Sequence, residues 1–300
     1  MTHQERVSVA PHRVHVVVNS QSTHAREIAE LATSGLQEAS IEVTVESEAS
    51  EIGPVDLDSA HGGLDLSPTD LILVIGGDGT MLRAAEVSRH SGAAILGINL
   101  GHVGFLAEAE REDINFVLDS IVRGSWQVEE RTALKVVVRK GDISIAETWA
   151  LNEVSVEKQA REKMISVLVD VDGRPLSRWG CDGVICSTPT GSTAYAFSAG
   201  GPIVWPEVDA LLLIPISAHA LFARPSVIAP TSVIGMHLAN ESPAVLWADG
   251  RRMLNLDGDT RIEVRTHEQP VRFARLVTAP FTDRLVAKFE LPIDGWRGGK

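Results

Sequence analysis

The chain has 300 residues, with 27 Lys and Arg against 40 Asp and Glu, 44% hydrophobic residues and a formal charge of −13. A chain this long and apolar is not disordered and can bury one large or two ordinary cores. Its acidic balance, with no long block of like charge, excludes a broad basic face for nucleic acid, but a polyanionic small ligand held by backbone amides stays possible. Residues 210–216 are the most apolar stretch, are broken by Pro215 and fall far short of the ~20 residues of a membrane span. A polar N-terminal stretch and only two cysteines, Cys181 and Cys186, predict a cytoplasmic protein with neither a disulfide framework nor a zinc site.

In chain order, residues 14–18 form a β-branched run that predicts a buried strand, and Ile28, Leu31, Ala32 and Leu36 recur at helical spacing over 25–39. Residues 41–45 alternate as a second strand, and 47–67 read as an acidic loop. Five branched residues at 71–75 predict a strand covered on both faces, leading into Gly76-Gly77-Asp78-Gly79-Thr80 and a helix over 81–89. A further short strand over 95–98 completes a β-α-β-α-β order, which implies a mainly parallel sheet with helices on both faces.

The character changes near Glu129. Short strands are predicted at 134–139, 148–156, 165–171, 183–187, 227–228, 233–238, 244–247 and 261–264, separated by turn signals such as Gly141-Asp142 and Asp172-Gly173. This spacing indicates a layered, antiparallel all-β domain. The expected organisation is an α/β domain over residues 1–128, a β-rich domain over 129–274 and a tail over 275–300, with a strand-like stretch starting at Val271.

The glycine segment is the strongest chemical signal. Glycines allow positive φ and a close backbone approach to a ligand, and the free N–H groups of the following helix suit a phosphate. Asp78 would stand at the carboxyl end of a strand, where a carboxylate can take a proton from a hydroxyl or hold Mg²⁺, and Arg83, one turn on, could reach the same anion. The competing reading is a tight turn with Asp78 as a helix cap. The loop lacks the GK[ST] of a Walker A motif and the spacing of a GxGxxG fingerprint.

A second dense stretch, 181–202, carries six hydroxyl side chains between Ser187 and Ser198 besides Tyr195, the sole tyrosine, and offers space and polar groups for a ring or sugar; the competing reading is a plain Ser/Thr-rich loop. Asn152-Glu153 places two polar residues inside the strand predicted over 148–156. Arg161, Glu162 and Lys163 read as a solvated turn, His219 as a core histidine, and the six tryptophans as packing.

Four motifs then occur in the order of the NAD kinase family: Gly76 to Thr80, the run from Gly97 through Gly101-His102-Val103 to Gly104-Phe105-Leu106, Asn152-Glu153, and Asp182-Gly183 through Gly200-Gly201-Pro202. The chain resembles that family over nearly its whole length, to Pro292. The resemblance implies an α/β domain followed by a layered β domain, with the tail crossing back to the first. It implies transfer of a phosphoryl group from ATP, or also polyphosphate, to the 2′-hydroxyl of the adenosine ribose of NAD, giving NADP. Asp78 becomes the proton acceptor; Gly76, Gly77 and Gly79 line the phosphate loop. Asn152 and Glu153 grip the dinucleotide. Asp182, Thr193, Ala194, Tyr195 and Ser198 resemble ring and ribose contacts, Arg83 and Lys163 basic ligand contacts, and Phe105 an aromatic near the adenine. A divalent cation, usually Mg²⁺, and assembly as a homodimer or homotetramer are also implied; no metal-ligand set, nucleic-acid partner or membrane partner is. The alternatives are a non-catalytic dinucleotide sensor and a lipid kinase of the diacylglycerol or sphingosine type, which shares the GGDG loop.

Overall fold

The structure is a computed structural model and describes residues 5–7, 9–47, 55–56, 66–100, 104–106, 109–110, 113–239, 243–276 and 280–292. The chain divides into two compact units, one comprising Met1–Glu51, His61–Glu130 and Val271–Lys300, the other Ile52–Ala60 and Arg131–Pro270.

The first unit contains β1 (Glu5–Val7), β2 (Arg13–Val18), α1 (Thr23–Glu38) and β3 (Glu42–Ser47). After β4 (Val55–Asp56), which belongs to the second unit, it continues with β5 (Leu71–Ile75), α2 (Asp78–Ser91), β6 (Ala94–Asn99), β7 (Ala109–Glu110), α3 (Ile114–Val122) and β8 (Trp126–Arg131). Its sheet runs β1-β8-β21-β6-β5-β2-β3, where β21 (Val271–Arg275) comes from the C-terminal segment and pairs parallel to β6. Strands β6, β5 and β2 and the edge strand β3 are parallel, with β2 and β5 in register from Val14↔Leu71 to Val18↔Ile75.

Alternation explains the packing. Val14, Val16, Val18, Leu71, Leu73 and Ile75 face a core shared with Ile28, Ala32 and Leu36 of α1 and Val117 and Ile121 of α3. Their neighbours Val17, Ile72 and Val74 are equally buried, and α2 packs against β2, β5 and β6. A run buried on both faces therefore needs no polar alternation. Helix α1 starts where the Ser22 hydroxyl accepts the Ala25 N–H at 3.2 Å, and α2 ends at Gly92, left-handed at φ 71°, whose N–H reaches the Ser88 carbonyl at 2.7 Å.

The second unit stacks two antiparallel layers. One has the order β10-β9-β20-β17-β12-β13, from β9 (Leu134–Lys140), β10 (Ile143–Ala150), β12 (Ile165–Val171), β13 (Arg174–Cys181), β17 (Ile234–Leu238) and β20 (Thr260–Thr266). The other is β16-β15-β14-β11-β18-β19-β4, from β11 (Glu153–Lys158), β14 (Gly183–Ser187), β15 (Leu211–Ile216), β16 (Ser226–Ile228), β18 (Ala244–Ala248) and β19 (Arg252–Leu256), with β4 parallel at the edge. Val136, Val167 and Trp179 of one layer and Val154, Val184 and Leu246 of the other share one core. The far face of the second layer is covered near Ile185 and Ile214 by Ala196 of the short helix α4 (Tyr195–Ser198).

Several expectations are corrected. The strand predicted over 148–156 is two strands, since Leu151-Asn152 leaves β10 and enters β11 in the other layer. Strands β13 and β15 escape the pattern because each carries a proline. Pro175 sits on an edge strand, and Pro215 lies beyond the three residues of β15 that pair with β16. His219 is exposed, on a stretch that turns out of β15 at Ser217 (φ 47°), so an apolar sequence run there marks a surface segment and no core. Trp205 is 44% exposed and so only partly buried. Most of the loop predicted over 47–67, residues 101–103 and residues 293–300 lie outside the described residues. Among the described residues no helix is long and apolar enough to cross a membrane.

Candidate functional site

In the first unit, β5 delivers the glycine loop directly to the N-terminus of α2. None of Gly76, Gly77 and Gly79 has a positive φ, so the turn does not use the freedom that glycine offers there. Gly76 is required inside the fold, because a Cβ there would stand 2.5 Å from Thr80 Oγ1. At Gly77 and Gly79 a Cβ would meet nothing within 4 Å. Both are exposed, so their bare backbone serves whatever approaches from outside, at the positive end of a 14-residue helix. Asp78 is the first residue of α2 and makes no capping bond. Its half-buried carboxylate faces the segment 104–106 instead, where Leu106 N–H lies 3.4 Å from Oδ1.

Arg83 is committed elsewhere. Its guanidinium pairs with Glu46 of β3, and its Nη1 donates to Glu86 at 3.1 Å. Glu46 also meets His15 Nε2 at 3.3 Å, and the His15 contact with the Arg83 charge holds its carboxyl down at about 2 despite burial. These pairs account for Arg83 within the fold. Phe105 is buried, with its ring 5.9 Å from both Phe281 and Phe289 of α5 (Phe281–Phe289).

In the second unit the break between β10 and β11 is held by one carboxylate. Asp249 accepts the N–H of Leu151 at 2.9 Å, of Asn152 at 2.7 Å and of Glu153 at 3.4 Å, while Arg252 donates to it at 2.8 Å. Thr188 serves the carbonyls: its Oγ1 donates to Leu151 O at 2.6 Å and its N–H to Asn152 O at 2.9 Å. Gly191 is forced, since a Cβ would stand 2.1 Å from Asn152 O. With the main chain satisfied, the side chains are left over. Asn152 Oδ1 and Glu153 Oε2 are buried without a hydrogen-bond partner, an arrangement that native folds avoid unless something else completes it. Burial, then the nearby Asp249 charge, pushes the Glu153 carboxyl up to about 8 against one bond from the Tyr195 N–H. Burial also raises Asp249, against Arg252 and three amides.

Glu153, Ser155, Glu157, Tyr195, Trp247 and Gly250 line a pocket of about 310 Å³. Ser155 and Glu157 follow from Glu153 by strand alternation once β11 is known to start there. Trp247 lies opposite Ser155 on β18. The hydroxyls of the 181–202 stretch mostly build this region and do not line it. Ser187 and Thr188 bond the Leu151 and Asn152 carbonyls, and Ser192 Oγ bonds the Val204 main chain. Thr193 bonds the Thr190 carbonyl, whereas Tyr195 and Ser198 are exposed and Ala194 half-buried. Asp182 is ion-paired with Lys158 at 2.5 Å, and Lys163 stands on an exposed turn. Cys181 and Cys186 are free and buried, their thiols pushed up to about 12 by burial.

A parallel sheet with an amide-lined loop at a strand's carboxyl end, and a layered β unit with an unfilled polar pocket, define a two-unit nucleotide-binding class of protein. Residues 14–126 match the ATP-NAD kinase N-terminal domain and residues 151–276 the ATP-NAD kinase C-terminal domain. The chain is 55% identical over 276 residues to NAD kinase 2 of Streptomyces coelicolor, covering 90% of this chain and 91% of that one. It is 57% identical over 235 residues to NAD kinase of Thermobifida fusca, covering 77% and 72%. Among solved structures, an NAD kinase from Archaeoglobus fulgidus in complex with ATP aligns at TM-score 0.70 and 30% identity, covering 93% of this chain and 98% of that one. Yeast NADH kinase complexed with NADH shares the fold at TM-score 0.81 and 24% identity, covering 99% and 96%. The chain belongs to the NAD kinase family.

Proposed function

We infer that the chain is an NAD kinase that transfers a phosphoryl group from ATP to the 2′-hydroxyl of the adenosine ribose of NAD, releasing NADP. The observation that carries this reading is the buried pair of unpartnered atoms, Asn152 Oδ1 and Glu153 Oε2, beside a pocket of ligand size. An amide and a carboxyl held neutral at pH 7 suit ribose hydroxyls and a heterocycle without repelling a pyrophosphate. The open amides around Gly77 and Gly79 receive donor phosphate, and Asp78 takes the proton of the attacking hydroxyl. A loop that reads charge rather than adenine also admits inorganic polyphosphate as donor. Tyr195, whose N–H bonds Glu153, and Ser198, exposed on the same short helix, act as ring and ribose contacts.

Among the described residues no group of three or more His, Cys, Asp or Glu could cage a metal ion. A hydrated cation carried on the substrate phosphates needs no such cage and leaves Asp78 as the proton acceptor. When bound there, Mg²⁺ neutralises phosphate charge. Exposed apolar side chains at Trp205, Val208, Leu221, Phe222 and Val227 support assembly as a homodimer or homotetramer, and two buried free thiols support a cytoplasmic setting. Neither exposed apolar surface nor retained Asp78 favours a sensor, and the family assignment leaves a lipid kinase without support.

The direct test is NADP formation from NAD and ATP by the purified protein, with polyphosphate in a parallel arm. Asp78→Asn is expected to lose at least about 100-fold in kcat with NAD affinity nearly unchanged. Near-normal turnover by that variant would overturn the assignment of Asp78.

A further inference from the structure

The C-terminal segment of the first unit does more than extend its sheet. Arg275, at the end of β21, donates from Nη1 to the Leu106 carbonyl at 3.1 Å, and its Nε is anchored on Glu129 of β8 at 2.5 Å. Arg284, on α5, donates from Nη1 to the Phe105 carbonyl at 3.1 Å. The Phe105 ring packs between Phe281 and Phe289, one from each end of the same helix. Two consecutive carbonyls and one ring of the 104–106 segment are thus fixed by the C-terminal arm.

That segment is also what touches the Asp78 carboxylate. Leu106 N–H points at Oδ1, and a Cβ on Gly104 would stand 2.7 Å from the same oxygen, so the segment lies against the acid on two sides. The Phe105 and Leu106 peptides are the ones whose carbonyls the two arginines grip. Any shift of Leu106 moves both the amide that steadies Asp78 and the wall beside it. Such a chain of direct contacts transmits position because packed side chains yield little.

We propose that the C-terminal arm, through Arg284 and the Phe281–Phe105–Phe289 stack, is a positioning strut that sets the carboxylate of Asp78 for proton abstraction. The proposal rests on Asp78 being the proton acceptor. Arg284 touches no substrate; it acts through the Phe105 carbonyl and the loop behind it. Misplacement of a catalytic group by about 1 Å is worth up to a hundredfold in rate, while substrate affinity depends on other contacts.

The test uses the full chain in steady-state NAD kinase assays, with Asp78→Asn as reference. Arg284→Ala is expected to lower kcat by on the order of tenfold to a hundredfold with KM for NAD and ATP within about twofold, and Arg284→Lys to recover most of that loss. Combined with Asp78→Asn, Arg284→Ala should cause no further fall, because the strut acts only through the acid. Wild-type kcat in Arg284→Ala while Asp78→Asn is inactive would overturn the strut alone. Full activity of Asp78→Asn would overturn the reading of Asp78 itself. A raised KM with unchanged kcat, or an additive loss in the double variant, also overturns the strut. Should Arg284→Ala prove unfolded by circular dichroism, Phe289→Leu decides, with the same selective fall in kcat expected and an unchanged kcat counting against the proposal.

Discussion

Asp249 accepts the main-chain N–H of Asn152 at 2.7 Å from 97 residues away in sequence. The acid sits at φ 53° beside Gly250 at φ 63°, in the turn of the β18–β19 hairpin, so its side chain folds back across β11. One carboxylate thereby serves three amides and the Arg252 guanidinium.

Removing it strands three main-chain donors and takes one partner from Arg252. Asp249→Ala should destabilise the second unit by about 3–5 kcal/mol, the scale for breaking a buried charge pair. Asp249→Asn keeps an acceptor and should lose less. Urea denaturation of both variants checks the order, and an Asp249→Ala chain as stable as wild type would remove Asp249 from the account of the break.

Glu153 gives a pH prediction. Its carboxyl is pushed up from 4.5 to about 8, so the folded chain binds a proton that the unfolded chain releases. The stability tied to this group is complete below about 4.5 and is lost as pH rises to about 8. Glu153→Gln should therefore be more stable than wild type above pH 8. If the neutral carboxyl is what receives NAD, affinity should fall about tenfold for each pH unit above that point in wild type and stay level in Glu153→Gln. Calorimetric titrations at several pH values decide it, and a level wild-type profile would show that charge at Glu153 is immaterial to binding.

Glu46 behaves in the opposite sense. The His15 bond, aided by Arg83, lowers its carboxyl from 4.5 to about 2, so its contribution is full above about 4.5 and vanishes as pH falls to about 2. At neutral pH this is worth on the order of 2–3 kcal/mol. Glu46→Gln should unfold at lower denaturant at pH 7, and the gap should close near pH 2. A gap that persists there would mean that packing, not charge, holds the β2–β3–α2 contact together.

What the sequence exposes is what local chemistry sets. Five branched residues announce β5, and the glycine loop after it announces a ligand edge. Helix α1 shows in its spacing, whereas its Ser22 cap emerges only in the structure. The strand boundary at Leu151 is illegible because its cause, Asp249, lies 98 residues on, and no period within 148–156 changes there. Partners 37 and 12 residues away likewise hide the use of Thr188 and Ser192, whose hydroxyls look available in sequence and are spent on the main chain in the fold. Arg83 misleads in the same way: its spacing from Asp78 is visible, whereas its partner Glu46 comes from a neighbouring strand. Asp-Gly at 249–250 does mark the hairpin, and that signal could have led to Trp247 and the pocket.

The glycine loop separates what the fold needs from what a ligand needs. Gly76→Ala would drive a Cβ to 2.5 Å from Thr80 Oγ1, and overpacking of this kind costs about 1–3 kcal/mol, so that variant should unfold more easily. Gly77→Ala meets nothing within 4 Å and sits at φ −95°, a value any residue adopts, so its stability should match wild type. Its methyl would nevertheless project from the amides proposed to receive the donor phosphates. KM for ATP should rise by on the order of tenfold in Gly77→Ala with the denaturation midpoint unchanged, a loss of about 1.4 kcal/mol of binding. Unchanged KM in this variant would mean that phosphate does not approach the loop at Gly77, and the amides of another turn would have to be found for it.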